Sequence, residues 1–254
     1  MDRTFLIVST LLAAVGAVLG MMSVHHGHRS RWTVVWMAGA FLCQLGFLAL
    51  RGQARVACPL HDLGEILAFL AWSLTLFYFV VGPPYRLSLL GVFTAPLVVV
   101  FQSVALLPGK LTPIPLRIMG TTSWGETHSA MSVLSYGALA LAGVAGVMFL
   151  VLDHQLKEHH LKSGLFRNLP PVRELLESMV RLLWLGTFLL TIGIVAGFIM
   201  PHKGFNGHFI AAVGTWVGYG LLLGVKTVRG LTGRRLSLAA VGMFLLSLTV
   251  FAFV

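Results

Sequence analysis

The chain has 254 residues, of which 57% are hydrophobic and only 10% charged; its mean hydropathy is +0.89. Ordinary soluble domains run nearer ~45–50% apolar and ~25% charged, so a soluble globular domain, a disordered chain and a disulfide-rich secreted module are all excluded. The composition fits an all-α, polytopic membrane bundle, a single integral membrane domain over 1–254, with room for about eight spans of ~20 residues and none for a large extramembrane domain. The net charge of +10 is what basic cytoplasmic loops contribute to a membrane protein. No basic stretch is interleaved with aromatics on a polar face, which argues against nucleic acid.

Apolar runs of spanning length fall at about 4–22, 33–50, 63–81, 87–107, 129–152, 180–200, 209–225 and 236–254. None has the period-two alternation of an outer-membrane strand. The first run lacks a small-residue cleavage site and is expected to remain a span. His25, His26 and His28 follow it beside Arg29 and Arg31, a spacing compatible with a metal or with a polar interfacial loop. Cys43 lies within the second run and Cys58 in the loop after it; no CxxC and no CxxCH is present, so covalent attachment of a c-type haem to this chain is not indicated. The third span opens with His61-Asp62-Leu63-Gly64-Glu65. Gly82-Pro83-Pro84 predicts a tight turn before the fourth span, and Pro96 predicts a kink within it.

The fifth span is dense in small residues, with Gly137, Ala138, Ala140, Ala142, Gly143, Ala145 and Gly146. Small residues allow close helix approach, so this helix is expected to be central. The pairs Leu156 with His160 and Lys157 with Leu161 lie at i,i+4 spacing, which predicts that the helix continues beyond the membrane. Past Pro170-Pro171, Val172, Leu175 and Leu176 fall opposite Arg173, Glu174 and Glu177. That pattern predicts a short interfacial helix lying on the membrane surface.

Loop charge predicts orientation. With both termini outside, the inner segments hold Arg29, Arg31, Arg86, Lys157, Lys162, Arg167, Arg173, Arg181, Lys226, Arg229, Arg234 and Arg235. The outer segments hold Arg3, Arg51, Arg55, Lys110, Arg117 and Lys203. The twofold excess favours this orientation in a bacterial-type inner (plasma) membrane.

Ionisable residues in or beside spans are functional candidates. His61 and Glu65 lie one helical turn apart; Glu65 is within the apolar region and needs a partner or water, while Asp62 suits a helix start. His128, at the outer end of the fifth span, and His202 and His208, which bracket the short loop Pro201–His208, gather at the predicted outer face. Imidazole is a good axial ligand for haem iron, and the same histidines would also serve as interfacial residues. No GxSxG, HExxH or P-loop pattern occurs, and no carboxylate pair has the spacing of a catalytic dyad. Binding or relay, and not enzymatic bond cleavage, is the expected chemistry.

Several stretches carry a family resemblance: Glu126-Thr-His128 through Ser135-Tyr136 followed by Leu156-Lys157; Asn168-Leu-Pro170-Pro-Val-Arg-Glu-Leu-Leu-Glu; Trp216-Val-Gly-Tyr219 through Gly233-Arg234-Arg235; and Pro59-Leu-His-Asp-Leu-Gly-Glu65. In order and spacing, over about residues 57–245, they resemble the cytochrome c assembly superfamily that contains CcsA, and more closely its smaller HemX/YpjD-type branch. The resemblance implies a membrane protein that assists cytochrome c biogenesis by binding or handling haem at the outer face, alongside other biogenesis proteins. His128 would be an axial ligand, with His202 or His208 as a second. Trp124 and Trp216 would pack beside the porphyrin or anchor at the interface, and Lys203 would meet a haem carboxylate. The loop at 201–208 contains no Trp and no acid, unlike the Trp-rich loop of larger members.

Three rival readings make different use of the residues. A small-solute or ion transporter would line a pathway with Glu65, Arg181 and the Pro96 kink. A HemX-like accessory protein would influence tetrapyrrole synthesis without binding haem. An accessory protein without a ligand would recruit partners through Asp153–Ser178.

Overall fold

The computed structural model describes residues 2–25, 32–81, 87–112, 122–157, 172–200 and 207–249. These residues form eight helices: α1 (Asp2–His25), α2 (Trp32–Arg55), α3 (Leu63–Val81), α4 (Leu87–Ala105), α5 (Ser123–Lys157), α6 (Val172–Ile199), α7 (Gly207–Arg229) and α8 (Gly233–Ser247). Among the described residues there is no strand. Six of the helices are long and apolar enough to cross a bilayer. Within α4, Leu90–Ala105 is a shorter apolar stretch; the predicted last span runs past the described part of α8. The helices overrun the apolar runs by a turn or more at several ends, because a helix that has crossed the hydrocarbon keeps its backbone bonds into the polar layer.

Helices α1 to α4 pack against one another, as do α5 to α8, and α5 joins the two groups through α3 and α4. As its composition predicts, α5 is the most buried of the spanning helices. It lies against α6 on one side and α8 on another. Outward faces are apolar and exposed, as at Leu11, Leu42, Val80, Phe188, Leu221 and Leu245, a surface suited to lipid and not to water.

Many polar side chains within the bundle are satisfied locally or across helices, whereas the Gln44 amide and the Trp36 and Trp72 indole N–H groups are buried without a hydrogen-bond partner. The hydroxyls of Thr75, Thr94, Thr187 and Thr191 donate to carbonyls four residues back, the usual arrangement where no water is available. Ser9 donates to the Ala40 carbonyl at 3.0 Å and receives the Gln102 amide at 2.8 Å, tying α1, α2 and α4 together.

One expectation changes. The segment after Pro171 is not a separate surface helix: Val172–Ile199 is one continuous helix. Leu175, Met179, Leu182 and Leu183 form one buried stripe along it, and the stripe carries the first turns into the bundle. Pro96 lies inside α4, within the predicted fourth span. The fifth helix does run past its apolar stretch, to Lys157; the predicted continuation to His160 and Leu161 lies outside the described residues.

Candidate functional site

At the end of the bundle where α1, α3, α5 and α7 begin, the short link from α2 to α3 brings five ionised side chains together. Glu65 is fully buried and accepts from Arg55 Nε at 2.8 Å and Arg51 Nη1 at 3.2 Å. Arg55 also reaches Asp62 at 2.9 Å, and Arg51 Nε reaches Asp2 at 2.7 Å. Both arginines are buried as completely as the carboxylate between them. The loop after α4 closes the group: the Thr112 hydroxyl and amide donate to Asp62 at 2.7 and 3.1 Å, and Arg51 donates to the Thr112 carbonyl at 2.8 Å. Arg3 donates to the Leu111 carbonyl at 2.7 Å. Charges removed from water survive only when their remaining donors and acceptors are filled in this way.

The second oxygen of Glu65 accepts the backbone N–H groups of His61 and Asp62 at 3.0 and 3.3 Å, so a glutamate three residues into α3 caps the start of its own helix. The anticipated pairing of His61 with Glu65 is therefore backbone to carboxylate, and the imidazole itself is exposed. Burial opposes the charge of Asp62, but its Thr112 hydrogen bonds and the adjacent Arg55 and Arg51 outweigh that cost and lower its pKa below 3.8. Nearby, burial together with the charges of Glu126 and Glu65 pushes the Cys58 thiol up to about 11. Cys58 is thus a protonated, unreactive thiol at neutral pH.

His128 stands at the same end, a little more than one turn into α5. Its Nδ1 lies 2.7 Å from the Gly193 carbonyl of α6. A carbonyl only accepts, so Nδ1 carries the proton in this contact. Glycine makes this approach possible. A Cβ at Gly197 would lie 2.8 Å from His128 Nδ1, and one at Gly193 would lie 2.7 Å from the Ser132 hydroxyl. The small-residue pair Gly193 and Gly197, four apart on α6, is a GxxxG sequence. Its spacing is legible in the chain, but glycine carries no ionisable group and so does not stand out among candidates sought by charge. Phe209, in the first turn of α7, is close to Gly197 and packs edge-on with Phe198 at 4.9 Å. The half-buried imidazole is therefore held where α5, α6 and α7 meet.

The other predicted site residues are distributed unevenly. Trp124 is exposed in the first turn of α5. His208 belongs to the first turn of α7, next to Phe209, which places its backbone at the His128 end. His202 and Lys203 lie outside the described residues, as do His26 and His28. Trp216 donates to Thr191 of α6 at 2.8 Å and so ties two helices, while Tyr136 and Tyr219 from the family-like stretches are buried in the interior. Among the described residues no group of three or more His, Cys, Asp or Glu side chains converges on a metal position. The three residues of the transport reading do not share a lining. Glu65 is in the ion network, Arg181 lines a cavity at the opposite end and Pro96 borders an apolar cleft between α4, α5 and α8. Most of Asp153–Ser178, the suggested recruiting segment, lies outside the described residues.

The sequence is similar to those of known cytochrome c biogenesis proteins. The chain is 26% identical to the cytochrome c biogenesis protein CcsA of Gloeobacter violaceus over 81% of its own length and 78% of that protein's. It is 27% identical to the CcsA of Thermosynechococcus vestitus, covering 80% and 77%. With the CcsA of Guillardia theta it shares 28% identity, covering 72% and 69%. A model of the cytochrome C assembly protein family matches residues 60–254, the stretch running from the start of α3 through α8, and the chain belongs to that family.

Proposed function

We propose that this protein serves cytochrome c assembly by holding haem, as cargo, at the end of the bundle that carries His128. The observation that supports the reading best is the 2.7 Å contact from His128 Nδ1 to the Gly193 carbonyl. A histidine that ligates a metal generally donates its other ring N–H to a fixed acceptor, which sets the tautomer and the ring plane. His128 has that arrangement, beside Phe209 and at a protein–lipid boundary suited to a porphyrin's apolar faces. Haem, if bound, would supply an iron centre with affinity for imidazole nitrogen. The chain's own part is to present His128 Nε2, with His208 or His202 as the second ligand, Trp124 alongside the ring and Lys203 toward a haem carboxylate. The protein binds and presents; it makes no thioether bond by residues of its own, and other biogenesis proteins complete the attachment. The site is on the outer face of a bacterial inner membrane, with both termini on that side. The short segment at 201–208, without Trp or acid, supports placement in the smaller HemX/YpjD-type branch.

The test is complementation. In cells lacking this protein, haem-stained c-type cytochromes are restored by the wild type and by His61→Ala, and reduced at least tenfold by His128→Ala at equal membrane abundance. Restoration by His128→Ala would remove the assignment. If cytochrome levels were then unaffected by deletion of the gene while tetrapyrrole levels changed, the regulatory reading would take its place.

A further inference from the structure

The opposite end of the molecule contains a cavity of about 360 Å³ between the start of α6, the end of α7 and the start of α8. Its polar lining is Arg173, Glu177, Arg181 and Lys226. Arg173 donates to Glu177 at 3.1 Å, an i,i+4 pair that nearly cancels in charge. Among the described residues no carboxylate pairs with Arg181 or Lys226, so the cavity keeps two uncompensated cations. The first turn of α8 adds to them. Thr232 at its N-cap makes no side-chain cap hydrogen bond, and Gly233 lines the cavity. The start of α8 thus lies beside the cavity, and with it the positive end of the helix dipole. Two cations and a helix start around one space form a receptor for a compact anion, and phosphate suits both the guanidinium and the amides.

The rest of the lining is apolar, with Val180 and Leu236 below the charged groups. One turn farther along α6, Trp184 is exposed on the same helical face as Val180 and Arg181, the start of an oily track leading from the cavity into the bilayer. A soluble anion would have no use for that track. We propose that this cavity binds the phosphodiester headgroup of an anionic phospholipid, whose chains lie along α6 and α8. The loop charges assign this end to the inside, where basic recesses between helix ends suit acidic headgroups. The inference does not depend on the haem reading, which concerns the other end of the molecule.

The test uses the full chain, purified in a non-ionic detergent and stripped of lipid. Phosphatidylglycerol, phosphatidylcholine and inorganic phosphate are added separately, and binding is followed by native mass spectrometry and thermal stabilisation. Phosphatidylglycerol is expected to bind at least tenfold more tightly than phosphatidylcholine, with no comparable effect of millimolar phosphate. Arg181→Gln and Lys226→Gln, made separately at accessible positions, should each weaken it about tenfold, the scale of one lost charge-assisted hydrogen bond. Lys157→Gln, a basic residue of the same end that pairs with Asp153, should leave it unchanged. Equal binding of the two lipids would overturn the proposal, as would equal protection by free phosphate. So would an equal loss in Lys157→Gln, which would indicate diffuse surface charge and no built site.

Discussion

At the scale of single residues, the ion network shows how a carboxylate is kept within an apolar helix. Glu65 is held by two arginines and two backbone amides. Glu65→Ala leaves both guanidinium groups buried and under-paired, and is expected to cost ~3–5 kcal/mol, read as a lower unfolding midpoint in detergent. Asp62 adds a pH dependence of definite sign. Its folded pKa is lowered, so its contribution is complete above the ordinary value near 3.8 and disappears as pH falls through the lowered value. Thermal stability should therefore drop on acidification below pH 4, and Asp62→Asn should flatten that drop. Cys58, raised to about 11, should react slowly with iodoacetamide at pH 7.5 and faster as pH approaches that value. Glu65's need for a partner was visible in the chain, because a carboxylate in an apolar run cannot stand alone. The identity of the partner was not visible. Arg51 and Arg55 read as loop charges until the last two turns of α2 are seen folded against the start of α3.

At the scale of elements, the lesson is in α5 and α6. The run of small residues in α5 announced a central helix, and the structure has it there. The complementary pattern on α6 was equally present: the stripe Leu175, Met179, Leu182, Leu183, Leu190, Ile194 is buried along the helix, with Gly193 and Gly197 on the α5 side. The charged first turns and the preceding Pro170-Pro171 suggested a break that packing does not respect, because the stripe keeps its register past Arg181. The close approach at Gly197 gives a prediction specific to the interface. Gly197→Leu would force His128 out of place and is expected to cost ~1–3 kcal/mol by overpacking. A size-matched change at Gly220, where a Cβ meets nothing within 4 Å, should be nearly neutral. Comparing the two unfolding midpoints separates a specific α5–α6 contact from a general intolerance of bulk.

At the scale of the whole molecule, eight alternating helices put both ends of the described chain on one face, and the loop charges predict that this face is the outer one. Two of the outer basic residues, Arg51 and Arg55, are neutralised within the ion network, which sharpens the inward bias of the charges that remain unpaired. An alkaline phosphatase fused after Val254 should accordingly be active, and one inserted after Lys226 inactive; the reverse pattern would invert the orientation. On the proposed reading the two ends of the bundle have separate tasks, a histidine-bearing end outside and a basic, lipid-binding end inside, with α5 spanning between them. The central claim is that the outer end holds haem through His128. Its most direct test is the visible spectrum of the protein purified from haem-replete cells, wild type beside His128→Ala. A Soret band in the wild type that weakens or shifts in the variant is the predicted result. A wild-type protein that remains without a Soret band after addition of hemin, or a band unchanged in His128→Ala, would contradict it.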